Sequence, residues 1–276
     1  MIPIYIPTLG RDRLITMEGL SPALHPYITI VTNKAQAATL HRQYSGAAVV
    51  ICPHQAEPGE KPDGITKGIS PVRQWITDYC WEKAGHSQCI MLDDDLTFYI
   101  RISEDDWHLR LATHGEVGEL FVEMQDQLIS NAMVGVSARQ GNNRRTETIQ
   151  HCQRMWAVWS IDIEVMRRLK LKFTAVPTMQ DFWMQMGFLT NGHRTAMICD
   201  YAHNQPASNA KGGCSLFRTP ETQRVSIAAL EKAYPGFIKS RLAKTKDGWF
   251  GTGDPRADVT FYGKKAYEFG LQQSIL

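Results

Sequence analysis

The stretch Gln88-Cys89-Ile90-Met91-Leu92-Asp93-Asp94-Asp95-Leu96 constrains this chain more than any other. Ile90, Met91 and Leu92 form a short apolar run of the kind that fills a buried parallel strand. Three consecutive carboxylates follow at once, and then Leu96, Phe98 and Ile100. An uncompensated buried charge costs several kcal/mol, so these acids must meet water or a cation at the end of the strand. In open α/β sheets that end is where ligands sit. In a strand Asp93 and Asp95 point to the same side while Asp94 points to the other. Two hard oxygen donors on one side suit Mg2+ or Mn2+, which complete their shells with water and phosphate. The competing reading is an acidic turn that is merely solvated.

The rest of the chain alternates between strand and helix patterns. Ile2–Ile6, Tyr27–Thr32 and Ala47–Cys52 read as strands, with a helix over Lys34–Tyr44 between the last two. That order favours a parallel sheet with crossover helices. Residues 53–69 are polar and proline-bearing and read as a long loop. A helix then starts with Ser70 as N-cap and Pro71 at its first position, and runs towards Gly85. Further on, Val117–Ile129 reads as a helix and Ala132–Ser137 as a strand. Trp156–Ile161 reads as another strand, followed by a short helix over Asp162–Leu169. Met179–Leu189 is a helix entered through Gln180-Asp181, and Ala196–Cys199 is a late strand. Pro220–Ala233 is a helix within a tail that the pattern does not place on the sheet.

At 276 residues and 43% hydrophobic, the chain can build one large α/β domain with an appended segment, or two small domains. We expect a catalytic domain over residues 1–205 and an extension over 206–276. The net charge of +2 means that any nucleic-acid contact must come from a local patch. Six scattered cysteines without a Cys-x-x-Cys pair argue against a disulfide framework or structural zinc, and for a reducing compartment. No apolar stretch approaches the ~20 residues needed to span a bilayer. The opening Met1–Pro7 lacks the pattern of a secretory leader, so a cytoplasmic protein is expected.

Several residues carry competing readings. Arg11, beyond the first strand, and Arg73, in the helix before the acidic strand, suit a diphosphate or a metal-gripping carboxylate through their planar forks; each could equally make a surface ion pair. Asp181 is either a first-turn acid that complements its helix dipole or a general base. His203 is either packing or a ligand to a divalent metal. Arg139, Arg144 and Arg145, with Asn142 and Asn143, form a basic loop. Lys211, Arg218, Lys239, Arg241, Lys244 and Lys246 add charge near Phe217, Phe237, Trp249 and Phe250. This set is either a footprint for a phosphate backbone or a solvated face.

Three segments carry a family resemblance: Ile4-Tyr5-Ile6-Pro7-Thr8-Leu9-Gly10-Arg11, Gly68-Ile69-Ser70-Pro71-Val72-Arg73-Gln74-Trp75-Ile76 and Met91-Leu92-Asp93-Asp94-Asp95-Leu96. Together with Asp181 and His203 they resemble GT-A glycosyltransferases, and more narrowly the phage TET-associated glycosyltransferases, over roughly residues 2–205. The resemblance implies a GT-A-like, Rossmann-type α/β fold. Its mixed, mostly parallel sheet would be flanked by helices, with a helical or irregular C-terminal extension. It implies a nucleotide-sugar donor, of which a UDP-sugar is the expected form, bound by Thr8, Arg11, Arg73, Asp93 and Asp94. It also implies Mn2+ or Mg2+ on Asp93, Asp95 and His203, with Asp181 as the base. Many members have an acidic pair where this chain has Gln180-Asp181, which leaves one candidate base. The implied acceptor is the hydroxyl of a hydroxymethylated pyrimidine, chiefly 5-hydroxymethylcytosine, in double-stranded DNA. Arg139, Arg144, Arg145, Lys211 and Arg218 would contact its backbone. Other readings on the same scaffold are a glycan, lipid or small-molecule acceptor, a nucleic-acid-binding module without catalysis, and a nucleotidyltransferase.

Overall fold

A computed structural model describes residues 1–103, 108–206, 218–243 and 255–274. In chain order the strands are β1 Ile4–Pro7, β2 Ile28–Thr32, β3 Ala48–Ile51, β4 Gln88–Leu92, β5 Thr97–Arg101, β6 Leu109–Leu111, β7 Met133–Ala138, β8 Ile149–His151, β9 Val158–Asp162, β10 Thr195–Asn204, β11 Ile238–Ala243 and β12 Arg256–Phe261. The helices are α1 Ile15–Glu18, α2 Lys34–Gln43, α3 Ile69–Glu82, α4 His114–Gln127, α5 Ile163–Arg168, α6 Gln180–Thr190, α7 Pro220–Ala233 and α8 Gly263–Gln273.

Ten strands form one sheet in the order β3-β2-β1-β4-β9-β7-β10-β5-β6, with β8 paired to β10. From the pairings, β1, β2, β3, β4, β6, β7 and β10 point one way, while β5, β8 and β9 run against them. This is the mixed, mostly parallel α/β sheet flanked by helices that the resemblance implies. Because β1 and β4 are parallel neighbours, Thr8 and Asp93 leave the sheet at the same edge. The reversed strand β9 starts at that edge, since Leu92 pairs with Val158. There β5 also starts and β10 ends, with His203 opposite Phe98.

Side-chain alternation explains why the sheet needs helices on both faces. Ile4, Ile6, Ile90 and Leu92 pack on one face with Val117, Leu120, Phe121 and Met124 of α4. Tyr5, Cys89 and Met91 pack on the other with Val72, Ile76 and Cys80 of α3 and with Phe188 of α6. Thr113 and Glu116 cap α4 reciprocally, which moves its start ahead of the apolar periodicity.

Some expectations are corrected. α3 begins at Ile69 behind Gly68, whose φ of 132° only glycine tolerates easily. Ser70 is therefore no N-cap; its Oγ donates instead to the Pro177 carbonyl at 3.0 Å. Strand β10 continues well past Cys199 after a register shift between Ile198 and Ala202, so His203 lies inside it. The basic loop is anchored, not free. Asn142 is fully buried and donates to Ser137 Oγ and to the Cys199 carbonyl, both at 2.7 Å.

The described part of the C-terminal segment is α7, the antiparallel pair β11-β12, and α8. It packs against α6 through Phe182, Met186, Leu189, Ile227, Leu230 and Val259. α8 approaches α6 backbone to backbone: a Cβ on Gly270 would lie 2.3 Å from both the Gly192 nitrogen and the Leu189 oxygen. Backbone cannot yield as a side-chain tip can. Gly270→Ala should therefore cost about 1–3 kcal/mol of stability. Gly118→Ala, in α4 with nothing within 4 Å, should stabilise by up to about 1 kcal/mol. Denaturant midpoints of the two variants check both signs.

Candidate active site

The acidic triplet is a turn, not a strand continuation. β4 stops at Leu92, and the Asp93 amide donates to the Ala157 carbonyl at 3.0 Å. Thr16, in α1, then pins the turn: its Oγ1 donates to the Asp93 carbonyl at 2.6 Å and accepts from the Leu96 amide at 2.8 Å. The turn abolishes the expected alternation of sides. Arg11 spans Asp94 and Asp95, while Arg73 takes Asp93.

Each carboxylate is held at short range. Arg73 Nη2 donates to Asp93 Oδ1 at 2.8 Å, and Arg11 Nη2 to Asp95 Oδ2 at 2.7 Å. Arg11 Nε lies 2.9 Å from Asp94 Oδ1 without the alignment of a hydrogen bond, so that contact is an ion pair. Thr8 Oγ1 donates to Asp94 Oδ2 at 2.6 Å. Thr8 is itself fixed by Gln55, whose Nε2 donates to the Thr8 carbonyl at 2.9 Å. That gives the long loop after β3 a structural task. Arg73 is 5% exposed and lies over the Trp159 ring at 5.2 Å, and that ring stacks on Phe173. Arginine suits this place better than lysine, because its flat weakly hydrated head can both stack and pair.

The charges do not balance: three carboxylates face two guanidiniums. Burial pushes the Asp94 carboxyl up to about 7, opposed by Thr8 and Arg11 and reinforced by its acidic neighbours. Burial likewise raises Asp95. An added cation would relieve this excess, and the oxygens of Asp93 and Asp95 are hard donors of the type that Mg2+ and Mn2+ prefer. The residues present thus fit a divalent ion. Among the described residues, however, no three His, Cys, Asp or Glu side chains converge as a finished metal shell. Water and donor phosphate would have to complete one.

His203 lies on the same sheet edge. It is 2% exposed, its ring meets Trp156 edge-on at 5.9 Å, and among the described residues neither ring nitrogen has a hydrogen-bond partner. Burial pushes its pKa down to about 4, so the ring is neutral, the form that can donate a lone pair.

Asp181 sits in the first turn of α6, entered through Met179 in the left-handed region at φ 60°. It is 8% exposed, and its Oδ1 accepts from the Phe182 amide at 3.1 Å. Burial raises its pKa; Arg73 and Arg154 pull against that, and Asp93 pushes with it. The electrostatic reach of Arg73 and Asp93 ties Asp181 to the acidic turn. Arg154 is a neighbour that the sequence reading missed, as are Thr16, Gln55, Trp156 and Trp159. Only the tight run Arg154-Met155-Trp156 before an apolar strand could have signalled any of them.

The predicted backbone contacts are dispersed. Arg139 is exposed and lies over the Tyr99 ring at 4.4 Å. Arg144 is exposed, whereas Arg145 donates to Gln150 Oε1 at 2.5 Å. Arg218 precedes the Thr219 cap of α7. Lys211, Phe217, Lys244, Lys246, Trp249 and Phe250 lie outside the described residues.

Acids, guanidiniums and a hydroxyl gathered beyond β1 and β4 fit a group-transfer enzyme that handles a phosphate-bearing donor. The family description TET-Associated Glycosyltransferase matches residues 2–213, and the chain belongs to that family. Sugar transfer is accordingly its class of activity. No match is found among curated proteins. Among solved structures, a mannosyltransferase from Pyrobaculum calidifontis in complex with GDP-Man and Mn2+ shares 10% identity at TM-score 0.47, covering 84% of this chain and 63% of that one. The mannose-1-phosphate geranyltransferase from Thermus thermophilus shares 10% identity at TM-score 0.42, covering 74% and 75%. At these values the likeness is general and says nothing of chemistry. Among the described residues no helix is long and apolar enough to cross a membrane.

The hydroxyl of Thr8 is what offsets the burial of Asp94. Thr8→Val keeps the shape and removes the donor, and should cost about 1.5–3 kcal/mol, as for a hydrogen bond to a charged group. Equilibrium denaturation of the variant measures it; an unchanged midpoint would show that water replaces the hydroxyl.

Proposed function

We propose that this chain moves a sugar from a nucleotide-sugar donor, a UDP-sugar in the simplest case, to the hydroxyl of a hydroxymethylated pyrimidine in double-stranded DNA. The preferred acceptor is 5-hydroxymethylcytosine. The observation that carries the reading is the cluster of three carboxylates and two guanidiniums at the ends of β1 and β4, in a chain of this family.

In this reading the donor diphosphate lies against Arg11 and Arg73, with Thr8 beside it. Asp93 and Asp95 would hold Mn2+ or Mg2+, and His203 offers the remaining protein donor on the same edge. When bound, the ion would supply Lewis-acid neutralisation of the charge growing on the leaving diphosphate. Asp181 takes the proton of the attacking hydroxymethyl group as its oxygen bonds to the anomeric carbon and the bond to the diphosphate breaks. Burial is what makes Asp181 a useful base, because it moves the carboxyl towards working pH. Arg139 and Arg144 remain exposed for phosphate contacts that hold register and read no sequence. A buried Asp181 would require the target nucleotide to leave the base stack.

Mass spectrometry of nucleosides from hydroxymethylated DNA, incubated with the protein, Mn2+ and a panel of sugar nucleotides, tests the reading directly. A glycosylated hydroxymethylpyrimidine is expected; transfer only to glycans or small molecules would move the acceptor elsewhere. In the same assay Asp181→Asn should lose about 10²–10⁴-fold in turnover, with calorimetric donor affinity kept. Asp93→Asn and Asp95→Asn should lose Mn2+-dependent donor binding itself. The base must be unprotonated to work, so wild-type activity should rise with pH along a limb above the ordinary aspartate value of about 3.9. Asp181→Asn should lack that limb.

A further inference from the structure

Three arginines converge on one buried carboxylate where the C-terminal strands meet the catalytic sheet. Asp258 Oδ1 accepts from Arg154 Nη2 at 3.0 Å and Oδ2 from Arg241 Nη2 at 2.6 Å, with Arg256 Nη2 at 3.6 Å. Asp258 is 1% exposed. Burial pushes its carboxyl up, but Arg154 and Arg241 outweigh that and hold it below its usual value. One negative charge is thus met by three positive ones, and the excess is not spent within the cluster.

A cavity of about 510 Å3 opens beside it. Arg154 and Arg241 line it together with Tyr262, Gly263, Lys264 and Lys265 at the start of α8. Among the described residues no acidic side chain lines it. Lys264 and Lys265 are exposed, and α8 starts there without a side-chain cap. Its first amides are therefore left to water or to a bound anion. The wall is firmly seated, since a Cβ on Gly263 would lie 2.1 Å from the Cys152 carbonyl oxygen. A volume of this size falls in the range of small-ligand sites, about 300–1,000 Å3.

One cation of the cavity lining, Arg154, also reaches the surroundings of the candidate base. The Arg154 guanidinium lies 4.2 Å from the centre of the Phe182 ring and 5.7 Å from that of Trp156. Phe182 follows Asp181 directly, and the charge of Arg154 acts on the Asp181 carboxyl. The donor cluster of Arg11 and Arg73 draws on none of the residues that line this cavity.

We propose that this cleft binds a backbone phosphodiester of the acceptor strand, with Arg154, Arg241, Lys264 and Lys265 as its cationic lining, and so seats the DNA beside Asp181. The assignment rests on the nucleic-acid acceptor proposed above. It places the principal backbone contact on the C-terminal segment, not on the loop that carries Arg139 and Arg144. Such a contact would supply affinity and orientation and no sequence preference.

The test uses Lys264→Gln/Lys265→Gln, which spares the arginines that satisfy Asp258. Anisotropy with a short fluorescein-labelled hydroxymethylated duplex, across a salt series, gives the slope of log affinity against log salt. The double variant should bind more weakly, with a slope shallower by about 1, the share of the one phosphate contact that the cleft makes. Lys83→Gln, exposed at the far end of α3, should leave the slope alone. Calorimetric affinity for UDP-sugar with Mn2+ should also be unchanged. If wild-type protein binds DNA and the double variant keeps its affinity and slope, the cleft assignment is overturned and the acceptor reading stands. If wild-type protein shows no salt-dependent DNA binding, both fall. Loss of donor affinity in the double variant would make the cleft a donor subsite and overturn the proposal.

Discussion

Everything at the candidate active site depends on an incomplete neutralisation. Asp93, Asp94 and Asp95 are crowded into one turn, and Arg11 and Arg73 leave one negative charge over. Burying such an excess is expensive unless something shares it. The surrounding framework is spent on holding the acids in place. Thr16 ties both ends of the turn, Thr8 serves Asp94, and Gln55 secures Thr8. A polypeptide that merely needed a stable turn would have no reason to collect like charges and then fix them so firmly. The arrangement makes sense for a site whose last charge arrives with a ligand.

The reversed strand β9 is the second constraint. Inserted between β4 and β7, it starts where its neighbours end, so Trp156 and Ala157 approach the acidic turn from the opposite chain direction. Ala157 supplies the carbonyl that receives the Asp93 amide, and Trp156 closes over His203. Trp159, three residues beyond Trp156, lies on the other face and backs Arg73. A single antiparallel insertion thereby furnishes the aromatic surroundings of two separate polar groups.

Much of this was legible in the residues. The apolar run Ile90–Leu92 before three acids announced a strand end with chemistry on it, and Arg11 and Arg73 were placed with the acids from strand order alone. The side-by-side alternation of the acids was not, because β4 ends before Asp93 and a turn obeys no period of two. Ser70-Pro71 looked like a helix start, yet tertiary packing gave Ser70 to Pro177 and left the entry to Gly68. His203 was assigned beyond a strand, since the apolar pattern ends at Cys199 while backbone pairing continues through a register shift. The hydrogen bonds of Gln55 to Thr8, Thr16 to Asp93 and Arg154 to Asp258 span 47, 77 and 104 residues of sequence, and no local pattern reports those. In the tail the helix Pro220–Ala233 is legible, but the placement of the segment is not, because its strands pair with each other and its fit to α6 depends on the bare backbone of Gly270.

That fit has a consequence for the chain as a whole. α6 carries Asp181 at one end and meets Gly270 of α8 at the other, with Met186 and Leu189 sealed between them. Trimming the protein back to its sheet would strip the outer lagging from this helix, leaving greasy side chains wet and Asp181 on a loosened mount. The C-terminal segment is better regarded as the far jaw of a vice than as an accessory bolted alongside.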